Sequence, residues 1–259
     1  MSARPARAPL RAPHRAASHR AYVLHRYDWS ESSLILDLFT RDLGRIAVAA
    51  KGAKRPYSQL RSVLLPFQRI FVTLGRAARD EASSEVQNLR GAEWAGGAAM
   101  LTGAALFSGF YLNELLMKLL ARHDPHAALF DAYAQTLPAL VHVDDAQVQA
   151  ALRAFELTLL REIGVLPDLS LVTQTQAAVR GERRYGLMPE AGVVAEGEIA
   201  GDALIGLQAA LQHGSVPALQ QACRAALPEL KGALRGMIQQ HLGASTLRTR
   251  QVMMDLQSL

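Results

Sequence analysis

Four cations fall within eleven residues early in this chain. Lys51, Lys54, Arg55 and Arg61 stand in "VAAKGAKRPYSQLRSVLLPF" with no acidic residue among them. Gly52 lets the backbone bend, Pro56 interrupts it, and charges of one sign on such a loop suit it to follow a line of phosphates. Arg45 precedes the loop on an apolar run and Arg69 follows it on the next. The loop is not a nucleotide-hydrolysing phosphate loop, because "KGAKRPYS" lacks the second glycine and the Gly-Lys-Ser/Thr ending. Tyr57, inside the loop, adds a π face, and stacking a base on an aromatic ring is worth roughly 1–3 kcal/mol whatever the base. The chemistry implied is binding along a polyanion, with Arg45, Lys51, Lys54, Arg55, Arg61 and Arg69 on phosphates and Tyr57 on a base. Of the other aromatics in the first third, Phe39 and Phe67 are expected in the core.

Other chemistries find less support. The chain shows no nucleophile elbow, no "HExxH" and no glycine-rich dinucleotide turn. Asp37 and Asp42 are the carboxylate pair that would suit a nuclease, and solvation on a strand and a turn explains them equally well. His123 and His126 lie in "HDPH", where Asp124 and Pro125 mark the end of a helix, and no metal site is expected there. Cys223 is the sole cysteine, which excludes an internal disulfide and a four-thiolate zinc site and fits a reducing cytoplasm. Residues 98–121 are the most apolar region, but Asn113, Glu114 and Lys118 interrupt them, so no membrane span is expected.

Charge is unevenly spread. The net charge is +5, yet residues 1–94 hold 16 Lys and Arg against 8 Asp and Glu, while residues 95–259 hold 12 against 15. Only the first third attracts a polyanion strongly. Residues 1–19 are rich in Arg and Ala, lack acidic side chains and carry Pro5, Pro9 and Pro13, which reads as a disordered basic arm.

Short strands position the basic loop. "RAYVLHRY", "SSLILDLFT", "RIAVAAKG", "FQRIFVTLG" and "SSEVQNLRGAEW" read as five strands within residues 20–94, with Gly44 of "RDLGR" at a turn position that needs positive φ. Five strands with no long helix between them predict a small barrel. The apolar period then becomes helical. Helices are predicted over residues 98–121, 127–141 and 145–163, the last opened by "DDAQ" and stopped by Gly164 and Pro167. "RYGLMPEAGVVA" reads as a small hairpin, and three or four short helices follow from residue 201, the last beginning near Ser245. Asn113 and Glu114 would need partners if buried. The fold class expected is α+β, a five-stranded barrel over residues 20–94 followed by a mainly helical domain over residues 95–259.

The ordered series "AYVLHRYDWSESSLILDLFTRDLGRIAVAAKGAKR", "LLPF", "LFSGFYLNELLMKLL" and "LRAFELTLLREIG" resembles the RecO family of bacterial recombination mediators. The resemblance implies an oligonucleotide/oligosaccharide-binding (OB) barrel, binding to single- and double-stranded DNA, annealing of complementary strands, and no enzymatic activity. It implies RecR and single-stranded DNA-binding protein as partners, functional links to RecA and RecF, and a cytoplasmic, nucleoid-associated place of action. Many members hold zinc with four cysteines in the region matching residues 168–198, and this chain has none there, so no cofactor is expected and the hairpin must hold itself by packing. The Arg-rich arm has no clear family counterpart. The resemblance also ties an arginine at the position of Arg153 to the acidic, apolar-tipped tail of single-stranded DNA-binding protein, with Leu152 and Phe155 packed beneath it as an apolar pocket. The alternative function is an RNA-binding module of the same barrel fold, since a basic loop does not by itself distinguish sugars.

Overall fold

Alternating side chains build the first half of the molecule. The computed structural model describes residues 17–75, 86–97, 100–243, 247–249 and 251–252. Five strands, β1 (Ser18–Asp28), β2 (Leu34–Thr40), β3 (Gly44–Ala50), β4 (Arg69–Leu74) and β5 (Val86–Trp94), close into a barrel in the order β1-β2-β3-β5-β4. Val23, Leu36, Leu38, Ile46, Val48, Ile70 and Val72 fill its interior. Gly44 takes φ +68° at the turn into β3, and a Cβ there would collide with the Asp124 carbonyl. The basic loop connects β3 to β4 and contains one helical turn, α1 (Leu60–Val63).

Helices follow. They are α2 (Gly103–Leu119), α3 (Ala127–Ala139), α4 (Asp145–Glu162), α5 (Gly201–His213), α6 (Val216–Arg224) and α7 (Leu227–Leu242). The Asp144 side chain accepts from the Ala146 amide at 3.0 Å and caps α4. Between α4 and α5 lies a sheet of β6 (Arg184–Met188), β7 (Gly192–Ala195) and β8 (Ile199–Ala200), in the order β7-β6-β8. The expected hairpin is β6–β7, and β8 is an addition the sequence pattern did not announce. Thr173 holds the preceding loop to it: its amide donates to the Val193 carbonyl and its hydroxyl accepts from the Val193 amide, both at 2.9 Å. The arm expected over residues 1–19 lies outside the described residues up to residue 16, and Ser18 and His19 are the first two residues of β1.

The two halves share a core. Tyr22, Leu24 and Phe39 point out of the barrel and pack with Phe130, Tyr133 and Phe155 of α3 and α4. This burial of both faces explains why β1 and β2 carry near-continuous apolar runs. Asn113 meets the need its burial creates: it donates to the Leu24 carbonyl at 3.0 Å and accepts from the Tyr133 hydroxyl at 2.5 Å. Arg41 of the β2–β3 turn forms a two-pronged pair with Asp131 of α3 at 3.0 and 2.8 Å. Among the described residues, no helix is long and apolar enough to cross a membrane.

Candidate nucleic-acid interface

The basic loop lies against the β1–β2 turn at one open end of the barrel. The Gly52 amide donates to the Ser33 hydroxyl at 3.3 Å and the Lys54 amide to the Ser32 carbonyl at 2.9 Å. Gly52 makes this close approach at φ +73°, a backbone region that favours glycine. The Lys54 ammonium donates to the Ser30 carbonyl at 3.1 Å and pairs with Asp28 at 3.0 Å. Lys54 therefore fastens the loop as well as charging it. Lys51, Arg55 and Arg61 are exposed. Among the described residues none of these three forms an ion pair. Tyr57 is 99 % exposed, an aromatic ring held in water with no packing role.

A hollow of about 450 Å³ opens at this end, lined by Arg26, Asp28, Leu34, Ala53, Lys54, Arg61 and Leu64. Arg26 was not legible as a site residue. Simple alternation from Ala21 and Val23 would turn His25 and Tyr27 inward and Arg26 outward. The β1–β2 register shifts between Val23 and His25, so Arg26 lies opposite the interior residue Leu36, while His25 lies opposite Asp37. That one-residue irregularity turns Arg26 towards the barrel mouth, where its Nη1 donates to the Leu64 carbonyl at 3.4 Å. Trp29, in the adjoining turn, is 55 % exposed and adds a second aromatic surface to this end.

Two expected phosphate contacts part from this group. Arg45 lies opposite Phe39 on the outer wall of the barrel, where its Nη1 donates to the Met117 carbonyl at the end of α2. Burial pulls its guanidinium below the usual range, with Asp37 opposing and Arg122 reinforcing that shift. Arg45 therefore lies at the seam between barrel and helices, apart from the loop. Arg69 lies opposite Tyr22, also on the helix-facing wall, and is half-buried away from the loop. The carboxylates of the nuclease alternative are likewise divided: Asp37 is 2 % exposed and pairs with Arg122 at 3.2 Å, and Asp42 pairs with His19 at 3.6 Å.

The residues expected to form the tail pocket lie in the helical interior. Every residue of α4 from Ala150 to Leu160 is buried, because α3, α6 and α7 all pack on this helix. Arg153 is 7 % exposed, and its Nη2 donates to Glu156 Oε1 at 2.6 Å, where the Tyr111 hydroxyl also donates at 2.7 Å. Burial pushes the Glu156 carboxyl up, while Arg153 and then Tyr111 pull it down. Leu152 and Phe155 are core residues. The arginine that was to stand at a rim is enclosed in the helical interior.

The chain matches two family models, "Recombination protein O N terminal" over residues 15–95 and "Recombination protein O C terminal" over residues 100–251. The DNA repair protein RecO of Verminephrobacter eiseniae (strain EF01-2) is 48 % identical over 256 residues, covering 96 % of this chain and 100 % of that protein. The namesakes of Albidiferax ferrireducens and of Polaromonas sp. (strain JS666) are each 49 % identical, covering 96 % and 95 % of this chain and 99 % and 98 % of theirs. With a closed five-stranded barrel, a helical half, and matches that span both, the chain belongs to the RecO family of DNA repair proteins.

Proposed function

We propose that the open end of the barrel binds the phosphate backbone of single- and double-stranded DNA irrespective of sequence, and that the protein anneals complementary strands. The observation that carries this reading is the convergence of Arg26, Lys54 and Arg61 on one hollow, ringed by the exposed Lys51, Arg55 and Tyr57. Cations that neutralise phosphates on two strands lower the repulsion between them, and an exposed ring stacks on an unpaired base without reading it. Such contacts are salt-sensitive, which suits a factor that must also release its substrate. In this reading the protein is a non-enzymatic mediator in the cytoplasm, at the nucleoid. With RecR it helps load RecA onto DNA coated with single-stranded DNA-binding protein, and RecF acts in the same route.

The decisive measurement is the salt dependence of affinity. Among the described residues Lys51, Arg55 and Arg61 form no ion pair, whereas Lys54 already pairs with Asp28. Replacing the three free cations with alanine should lower the log–log salt slope on single strands by about 2 units, and Lys54→Ala should add less than about 1. An unchanged slope in a folded variant overturns the interface. Competition between matched DNA and RNA oligonucleotides separates this reading from an RNA-binding module.

A further inference from the structure

The end of β1 separates two hollows. Arg26 and Asp28 line the one at the barrel mouth, while His25 and Tyr27 line a second, of about 560 Å³, between β1, α2 and the residues Arg248, Thr249 and Val252. The register shift that turns Arg26 to the mouth leaves His25 and Tyr27 on the outer side. Clefts that hold small ligands span about 300–1,000 Å³, so the second hollow has the size for one. Aromatic rings form much of its wall. The His25 and Tyr27 rings stand edge to face with centroids 4.4 Å apart, and the Tyr27 hydroxyl donates to Asp37. On the α2 side, the Phe110 ring rests edge-on against Phe67 with centroids 5.1 Å apart, and Phe107 lies one helical turn before it. Tyr27 and Phe110 remain 42 % and 38 % exposed, so ring surface is left open at this cleft.

Its edge is cationic. Lys118 and Arg248 are exposed there. The carboxylate in the lining, Glu114, is taken up by Lys118 at 3.2 Å and by the amides of Arg248 and Thr249 at 2.8 and 3.0 Å. Among the described residues the Arg248 guanidinium forms no ion pair. Open π faces beside a cation meet the two needs of an unpaired nucleotide, a surface for its base and a charge for its phosphate. We propose that this cleft receives an unstacked base of the single strand held at the barrel mouth, between Tyr27 and Phe110, with Arg248 on an adjoining phosphate. The inference rests on the DNA reading of the mouth. The path is short: consecutive residues are about 3.8 Å apart, and Arg26 and Tyr27 reach the two hollows from opposite sides of one strand. Duplex DNA keeps its bases in the stack, so the cleft serves single strands alone.

The test uses the full chain and a dT oligonucleotide of about 16 nucleotides that carries one iododeoxyuridine, a photoprobe that couples to nearby aromatic rings. Mass spectrometry should find adducts at Tyr27 or Phe110. Adducts confined to Trp29 and Tyr57 overturn the cleft. Tyr27→Leu and Phe110→Leu keep an apolar side chain and remove the π face. Each should weaken single-strand affinity at least about fivefold and leave duplex affinity unchanged. Equal weakening on single strands and duplex overturns the stacking role, and if either variant lowers the Tm the adduct map of the wild type decides alone. Failure of the mouth reads differently: the salt slope stays unchanged when Lys51, Arg55 and Arg61 are replaced. Failure of the cleft alone leaves that slope effect intact and yields no adduct at Tyr27 or Phe110. An acidic, apolar-ended peptide that occupies the cleft while dT stays bound at the mouth overturns the proposal in favour of a protein ligand.

Discussion

Charged side chains at the barrel mouth and in the helical interior obey opposite rules. At the mouth, Lys51, Arg55 and Arg61 face water, and their worth lies in what they meet from outside. In the interior, Arg153 and Glu156 face each other at 2.6 Å, closed off by α3, α6 and α7. An exposed cation costs the fold little and is free to hold a phosphate. A buried one must be paired, and removing its partner leaves a stranded charge. Both regions are read as basic residues beside apolar ones, so the local sequence does not separate them. The lesson is that an arginine next to Leu152 and Phe155 marks a binding rim only where the far side of its helix is left open.

The largest expected effect breaks the buried half of this contrast. Arg153→Met should destabilise the protein by roughly 3–5 kcal/mol in chemical denaturation, because Glu156 is left buried without its cation. Arg153→Met/Glu156→Met should recover most of that loss. A single variant as stable as the wild type would show that Arg153 is not enclosed. The exposed half is tested by Tyr57→Ala, which should cost roughly 1–3 kcal/mol in single-strand affinity while leaving the Tm unchanged. Loss of Tm together with affinity would mean that the ring packs.

Glu114 lies between these extremes, with its side chain 13 % exposed. Burial pushes its carboxyl up, but hydrogen bonds from Thr249 and Arg248, with Lys118 nearby, outweigh that and hold it below the usual range. The sign follows: with its folded value depressed, Glu114 stabilises its contact with Arg248 and Thr249 above the ordinary carboxylate range, and that contribution is lost as pH falls through the folded value. Exchange of the Arg248 and Thr249 amides, corrected for intrinsic rates, should therefore speed up in acid. Glu114→Gln should abolish that dependence, and a persistent one would assign it elsewhere. The smallest effect belongs to the hairpin, which neutral contacts hold. Thr173→Val removes the acceptor for the Val193 amide and should cost about 1 kcal/mol. Dialysis against a strong chelator should leave the Tm where it was, and stoichiometric zinc in the purified protein would contradict the packing account.

Much of the fold was legible because period is a local property. The five barrel strands and the helices α2 to α4 follow from alternation, helical spacing and the Asp144 cap, each visible within a dozen residues. The site was legible in part. The loop from Lys51 to Arg61 announced itself by charge, whereas Arg26 was hidden by a register shift that no alternation rule anticipates. Arg45 and Arg69 lie apart from that loop for a complementary reason: which outer wall the helices cover is not written in a strand.

The sequence by itself determined the barrel strands and the helices α2 to α4, the family, the positive first third and the absence of thiols for a zinc site, because composition, periodicity and ordered motifs are properties of the chain alone. Only the tertiary structure decided which cations are free. Burial is set by what packs from distant parts of the chain: α6 and α7 enclose Arg153 from more than sixty residues away, and the end of α2 closes over Arg45 from seventy-two. A side chain's charge is local, and its access to a partner is not.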